Sequence, residues 1–173
     1  MTVSRTDTSP STGNALSIER WAATSGSERG SRASLVLNGG GHRWRAHAEG
    51  NGAVDALMRA VDDALAPLLG RGVALATYDV HASAPGHEAT ASVALSIRSM
   101  ADPDGPLFAG RATSENVLQA SVGAYVDAVN ALLADTGVDI AAAVPSPGET
   151  DRHETDPEHT SGAKDRIMSA YNQ

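Results

Sequence analysis

Residues 49–70 read EGNGAVDALMRAVDDALAPLLG, and this stretch decides the fold of the chain. After a glycine-rich start, apolar residues recur at the three- and four-residue spacing of one helical face, opposite several charged residues. The pattern predicts an amphipathic helix that ends near Gly70, because glycine readily adopts the conformation that closes a helix. The apolar face consists of Val54, Leu57, Met58, Val61, Leu65 and Leu68.

Three segments in which apolar and polar residues alternate precede this helix. They cover residues 16–21, 32–37 and 42–48, and the turn-like sequence NGGG at 38–41 joins the last two. Alternation bounded by turn residues is typical of strands. We therefore predict three strands, with a hairpin between the second and the third.

The same order of patterns then occurs again. Strand-like segments cover residues 73–82, 91–97 and 107–112, and the turn sequence DPDG separates the last two. A second helical period follows Ser114, which we predict to be its N-cap. An offset of 64 residues aligns the two helices and places Trp44 on Phe108. Gly123, inside the second helix, predicts a close approach to the neighbouring unit or protomer.

These patterns predict an α+β fold of duplicated βββα units, in which mixed or antiparallel sheets pack with two helices. We expect one domain at residues 16–135, with repeat one at 16–70 and repeat two at 71–135. Residues 1–15 and the acidic segment 136–173 are polar and have few apolar anchors. We predict that both of these flanking segments are largely disordered.

Composition argues against several functional classes. The chain has no cysteine and a formal charge of -8 without a basic cluster, so we predict neither a thiolate zinc site nor nucleic-acid binding. No apolar run approaches the roughly 18 residues of a membrane span, and the N-terminus has no signal-like apolar core. We therefore expect a cytoplasmic protein. The histidines lack the spacing of a helical metal pair, so no metal and no cofactor is predicted.

Four short motifs stand in order along the predicted elements. They are EGNGAVDA at 49–56, YDVHA at 78–82, GHEA at 86–89, and LQAS followed by AY at 118–125. In order and spacing they resemble the regulatory domain at the C-terminus of 2-isopropylmalate synthases, the LeuA allosteric domain. The resemblance covers residues 16–135. It implies a duplicated βββα fold that pairs across a dimer and binds leucine as a feedback inhibitor.

The resemblance also implies a ligand site. In that family the effector lies where the start of the first helix, the fourth strand with its following loop, and the second helix converge. Backbone N–H groups at a helix start suit a carboxylate, and a loop carboxylate suits an ammonium group. Carried over by motif, the residues for a leucine-like effector are Asn51, Gly52, Val54, Leu75, Tyr78, Ala82, Gly86, Glu88, Ala89 and Val117.

Several of these residues also have a plainer interpretation. Asn51 and Gly52 suit an ordinary helix start, Tyr78 suits a half-buried strand position, and Glu88 suits a solvated loop. The chain also departs from the family pattern, with Ala48 and with Ala53 beside the glycine-rich motif. A pocket that no longer binds an effector is therefore a second interpretation.

The resemblance thus implies a stand-alone regulatory domain, linked to leucine biosynthesis, that binds a branched-chain amino acid, forms a homodimer and acts on a separate synthase catalytic chain. We do not expect an enzyme, because the synthase reaction takes place in a TIM barrel of about 250 residues. The alternative is a dimerisation or docking scaffold with a degenerate pocket. A small enzyme that uses Glu88 with His81 or His87 is a third hypothesis.

Overall fold

The computed structural model describes residues 14–27, 30–82 and 89–143. Within them, two three-stranded antiparallel sheets are each followed by one helix. The predicted α+β fold of duplicated βββα units is confirmed. The elements are β1 (Ser17–Thr24), β2 (Ser31–Gly39), β3 (His42–Gly50), α1 (Ala53–Leu69), β4 (Val73–Ala82), β5 (Ala91–Ser99), β6 (Phe108–Ser114) and α2 (Val117–Asp135).

The two units match strand by strand. The pairing of β1 with β2 shifts register just after Ile18, and the pairing of β4 with β5 shifts at the corresponding place, just after Leu75. The offset between equivalent residues is therefore 57 in the first strands. It is 64 from Trp44 to Phe108, as the sequence predicts. The offset grows because the loops of the second unit are longer.

The helices of the two units lie against their own sheets and against each other. α1 packs on β2 and β3, while α2 packs on β5 and β6 and also contacts α1 and β1. α1 ends at Gly70, whose φ of 59° is in the range that favours glycine, as predicted. Leu57, Leu65, Val129 and Leu133 are almost completely buried in the shared core.

The start of α2 differs from the prediction. Ser114 is the last residue of β6, and the N-cap is Asn116. The Asn116 side-chain oxygen accepts hydrogen bonds from the backbone N–H groups of Leu118, at 2.8 Å, and Gln119, at 3.4 Å. Serine and asparagine are similarly good caps, so the local sequence does not decide between them. The N-cap position is instead set by the length of β6, which extends to Ser114.

α2 is the most apolar element of the fold. By length and composition alone it could cross a membrane, although polar residues such as Gln119 and Asn130 interrupt its apolar run. Its apolar residues include Val122, Tyr125 and Val129, which are buried against the sheets and α1. The central position of α2 in the core accounts for this composition.

The packed chain extends beyond the predicted boundary at Asp135. Ile140 is only 1% exposed, and its backbone N–H donates to the Asn14 side chain at 3.0 Å. The carbonyl of Ala141 lies 2.9 Å from the His42 ring. Residues 136–143 are therefore part of the packed domain, because Ile140 is an apolar anchor. Residues 1–13 and 144–173 lie outside the described part.

Gly123 allows close packing, but not against the element that the sequence suggested. A Cβ atom at Gly123 would lie 3.1 Å from the Cβ of Ala112, in β6 of the same unit. Gly110 is more tightly enclosed, since a Cβ atom there would lie 2.0 Å from the carbonyl oxygen of Ala124. Both glycines therefore let α2 approach its own sheet.

Candidate functional site

The face of β4 that points toward the helices has little cover in this chain. Leu95 and Ile97 on β5 are buried beneath α2. Their partners across the ladder, Tyr78 and Leu75, are 37% and 45% exposed, and Val80 on the same face is 43% exposed. The described residues of one chain thus leave an apolar strand face open.

The equivalent strand of the first unit is covered. Trp21 in β1 corresponds to Tyr78, and it is half-buried because α2 lies beside it. The Trp21 indole N–H donates to the side chain of Gln119 in α2. Among the described residues, β1 therefore has a helix from the other unit next to it, whereas β4 makes no comparable contact with α1.

Tyr78 bridges the open strand and the start of α2. Its hydroxyl lies 2.7 Å from the Ser121 hydroxyl, and Ser121 donates to the carbonyl of Val117 at 2.6 Å. Because a serine hydroxyl has only one proton to donate, Tyr78 is the donor to Ser121. Val117 is 43% exposed at the first turn of the helix. Two predicted site residues, Tyr78 and Val117, are thereby brought together through Ser121.

Ser121 was not among the predicted contacts, although the LQAS motif contains it. Its side chain is buried, and its hydroxyl is part of the link between β4 and α2. A serine inside a helix often bonds to the carbonyl four residues earlier, as Ser121 does here. The local bond from Ser121 to Val117 can be predicted from the sequence, but the contact with Tyr78 cannot.

The start of α1 holds the glycine-rich motif. A Cβ atom at Gly50 would lie 2.5 Å from the backbone nitrogen of Ala56, so Gly50 is required for packing. Gly52, the N-cap, has extended backbone angles and open space where a side chain would project. Neither packing nor backbone conformation therefore requires glycine at position 52.

A carboxylate of the chain already lies at this helix start. The Asn51 backbone N–H donates to Asp55 at 2.9 Å, and Arg59 forms an ion pair with the same carboxylate at 3.0 Å. The hydrogen bond from Asn51, followed by the effect of Arg59, lowers the pKa of Asp55. Within the described chain, the backbone N–H groups of Ala53 and Val54 have no acceptor.

The remaining predicted residues are placed only in part. Ala82 lies exposed at the end of β4, and Ala89 is half-buried just before β5. Gly86 and Glu88 fall outside the described residues. No hydrogen bond among the residues described joins the start of α1 to Tyr78. Two separate clusters are therefore found, one at the start of each helix.

Three cavities lined by described residues lie at the first sheet. Two of about 320 and 380 Å³ occupy its outer face, and one of about 430 Å³ lies between β3 and α1. None of the predicted effector residues lines them. No group of three or more metal-ligating side chains occurs in the described ranges.

A buried polar pair joins the two helices. Tyr125 in α2 donates a hydrogen bond to the carboxylate of Asp62 in α1 at 2.8 Å. Burial raises the pKa of Asp62 to about 6, in spite of the bond from Tyr125, which acts in the opposite direction. Burial also raises the pKa of Tyr125, so this hydroxyl remains a donor. The pair is a contact between the units and lies apart from both clusters.

Comparison with known proteins supplies the family. The model of the LeuA allosteric (dimerisation) domain matches residues 2–133. The chain belongs to this family. In this member of the family, the described residues of the second βββα unit leave one strand face open.

Curated relatives support the same assignment. The chain is 36% identical over 117 residues to the 2-isopropylmalate synthases of Xanthomonas campestris pv. campestris (strain B100) and Xanthomonas axonopodis pv. citri (strain 306). It is 31% identical over 119 residues to that of Caulobacter sp. (strain K31). These matches cover 66% and 69% of this chain but only 21% of each synthase. The matched region thus corresponds to about a fifth of each relative.

Proposed function

We propose that this LeuA-type domain forms a homodimer and binds leucine or a related branched-chain amino acid, and that it thereby regulates 2-isopropylmalate synthase in leucine biosynthesis. The observation that carries the proposal is the open apolar face of β4 beside the start of α2. A site built there by one chain alone is incomplete, and a second copy would complete it.

The comparison between the two units supports dimerisation. β1 and β4 are equivalent strands with the same register shift, yet in the described part of the chain β1 packs beside the helix of the other unit and β4 makes no comparable contact. Leu75, Val80 and Val117 remain exposed at the uncovered place. Burying an exposed Val or Leu side chain contributes roughly 1.5 to 3 kcal/mol, so covering this patch would favour association. A symmetric dimer buries the same patch on both copies.

The chemistry at the start of the two helices suits a free amino acid. The unpaired N–H groups of Ala53 and Val54 would bind the carboxylate at the positive end of α1. Leu75 and Val117 would contact the aliphatic side chain, with Tyr78 fixed beside them by Ser121. Glu88 is proposed to accept from the ammonium group.

The amino-acid selectivity of such a site follows from its apolar contacts. One methylene group in an apolar pocket changes binding by only about 1 to 3 kcal/mol. We therefore propose that leucine binds more tightly than valine by a moderate factor, and more tightly than alanine by a large one.

Isothermal titration calorimetry with leucine, isoleucine, valine and alanine tests the sensor function. The test variant is Gly52→Asp, which adds a carboxylate at the proposed carboxylate site and suits an N-cap position. Gly26→Asp is the matched control. A side chain at Gly26 also faces open space, and the substitution adds the same charge away from the proposed site. Leucine-selective heat from the parent and the control, lost in the folded Gly52→Asp variant, would support the proposal.

The alternative is a dimerisation or docking scaffold without an effector. The position of Asp55 favours it, because this carboxylate already accepts from Asn51 at the start of α1. A dimer that gives no heat with any of the four amino acids up to millimolar concentrations would support the scaffold and reject the sensor.

The proposal extends to a partner and a compartment. Since the relatives are named 2-isopropylmalate synthases, we propose that a separate synthase catalytic chain in the cytoplasm is the regulated partner, and that this domain contributes no catalysis. Mixing the purified domain with such a chain and measuring synthase activity with and without leucine tests this. Unchanged activity in both mixtures would reject the partner.

A further inference from the structure

The outer face of the first sheet, away from the helices, is unusually basic for this acidic chain. Arg20, Arg32, Arg43, Arg45 and His47 lie on it, and we call these residues the outer basic face. All of them are exposed. The two outer cavities of about 320 and 380 Å³ lie along this face and are lined by three of the arginines and by the histidine.

Two of the four arginines have ion-pair partners and two have none among the described residues. Arg32 pairs with Glu49 at 2.9 Å, and Arg43 pairs with Glu19 through both carboxylate oxygens. Arg20 and Arg45 remain unpaired. They are available to a carboxylate from outside the sheet.

Arg20 and Arg45 lie on either side of one apolar residue. Both are paired in register with Val36, on the central strand β2. Val36 is only 5% exposed although it points away from the helices. Arginine stems commonly cover apolar surface while the guanidinium groups stay in water. The two arginines therefore flank the same residue of β2, with Ser34 in the next outward-facing row.

The outer face of the second sheet carries Arg98 and Arg111 but lacks the arginines at these positions. Structural equivalence places Thr77 at the position of Arg20, Ser92 at that of Arg32 and Ala109 at that of Arg45. The basic face is thus not a general property of the βββα unit. It belongs to the sheet next to which the described chain ends.

The described chain ends beside this sheet. Ala141 packs against the β2–β3 hairpin at Gly40 and His42, and Ala143 is the last described residue. On β2, Val36 lies three residues before Gly39. The row of Arg20, Val36 and Arg45 is therefore about 10 Å along the strand from Gly39. Six residue steps lead from Ala143 to Glu149, and an extended chain spans up to about 20 Å over that length.

The sequence that follows is acidic. Residues 149–158, which we call the acidic segment, read ETDRHETDPE and contain five carboxylates and one arginine. We propose that the acidic segment of this chain docks on the outer basic face of its own first sheet, with its carboxylates paired to Arg20 and Arg45. Charge complementarity and the place where the described chain ends favour this segment over another partner.

Tethering makes such a contact effective although each ion pair is weak. Exposed ion pairs stabilise by little, and salt screens them. A short linker, however, keeps the segment at an effective concentration in the millimolar range. The docked state is therefore in rapid exchange, sensitive to salt, and independent of protein concentration.

Paramagnetic relaxation enhancement on the full chain tests the proposal. Because the chain has no cysteine, the single substitution Ser161→Cys carries a spin label without background labelling. At low salt, the amide signals of Ser34 and His47 are expected to lose intensity. They should recover near 1 M salt, where the Debye length falls to about 3 Å.

Three variants make the test specific. Arg20→Gln with Arg45→Gln removes the two unpaired charges, and Arg111→Gln, an exposed arginine on the outer face of the second sheet, is the control. The broadening should be lost in the first variant and kept in the control. A third variant replaces the five carboxylates of the acidic segment, and it should also lose the broadening: Glu149→Gln, Asp151→Asn, Glu154→Gln, Asp156→Asn and Glu158→Gln.

The contrary results are equally clear. Absence of broadening on the outer basic face at low salt would overturn the proposal, and so would broadening that persists in the variant without the five carboxylates. Loss of the effect on tenfold dilution with unlabelled protein would assign the contact to a second copy and overturn docking within one chain.

Discussion

Asn130 in α2 forms two hydrogen bonds with the backbone of Leu16, the residue just before β1. The Leu16 N–H donates to the Asn130 side-chain oxygen at 2.8 Å, and the Asn130 amide donates to the Leu16 carbonyl at 3.0 Å. The two residues are 114 positions apart. These two hydrogen bonds attach the residue that precedes β1 to α2, the helix of the second unit. They therefore couple the two repeats.

Replacing Asn130 by alanine should destabilise the whole domain. The substitution leaves two backbone groups of Leu16 without partners, and Leu16 is only 4% exposed. We expect the free energy of unfolding to fall by about 1 to 3 kcal/mol. Urea denaturation followed by circular dichroism measures this, with Asn51→Ala as an exposed asparagine control. Equal stability of the two variants would contradict a coupling role for Asn130.

The Asp62 and Tyr125 pair should make stability depend on pH. The pKa of Asp62 is raised to about 6 in the folded state, so between about pH 4 and 6 the folded state binds a proton that the unfolded state has lost. Stability from this group is present below about pH 4 and decreases as the pH rises to about 6, by up to about 3 kcal/mol.

The variant Asp62→Asn isolates this effect. Asparagine can still accept the hydrogen bond from Tyr125 but does not ionise. The stability difference between variant and parent, measured by urea denaturation, should therefore shift in favour of the variant from pH 4 to pH 7. Since Glu19 and Asp55 titrate in both proteins, their contributions cancel. A difference that stays constant with pH would refute the assignment.

Gly110 should not tolerate a side chain. A Cβ atom there would lie 2.0 Å from the Ala124 carbonyl oxygen and 2.5 Å from the Ala128 nitrogen, both in the backbone of α2. Gly110→Ala must push the helix away from β6, and overpacking of this kind costs about 1 to 3 kcal/mol. Gly26→Ala, in open space, is the control for thermal unfolding. An unchanged melting temperature in Gly110→Ala would contradict this packing.

The proposed dimer contact can be tested on one strand. Val80→Asp places a charge on the open inner face of β4, while His81→Asp places the same charge on its outer face. An unpaired charge within an apolar contact is costly, so Val80→Asp should produce monomers. Sedimentation velocity of both variants and the parent reports the result. Dimers in both variants would exclude this face.

Local pattern was enough to predict most elements. The period of residues 53–69 predicts α1, and Gly70 marks its end as found. Alternation predicts all six strands, because each side of a strand meets either the core or water. The predicted N-cap Ser114 was wrong because pairing with Ala91 extends β6 to that residue. Ile140 was missed because a single apolar anchor gives no period.

The candidate site was predictable only in part. The resemblance predicts Tyr78 and Val117 as site residues. The hydrogen bonds that link them through Ser121, however, depend on how α2 lies across the sheet. The same holds for Asp55, whose hydrogen bond from the Asn51 backbone at the start of α1 depends on the folded helix start. Gly86 and Glu88 stay predictions.

The sequence by itself determined the elements, their order and the duplication, because these follow from the spacing of apolar residues along the chain. Only the tertiary structure decided which helix covers which strand. β1 and β4 carry similar alternation, yet Trp21 is half-buried beside α2 while Tyr78 lies at an open face. Whether a strand is covered by a helix depends on packing between residues far apart in sequence, such as Leu16 and Asn130. The local period of apolar residues does not determine such contacts.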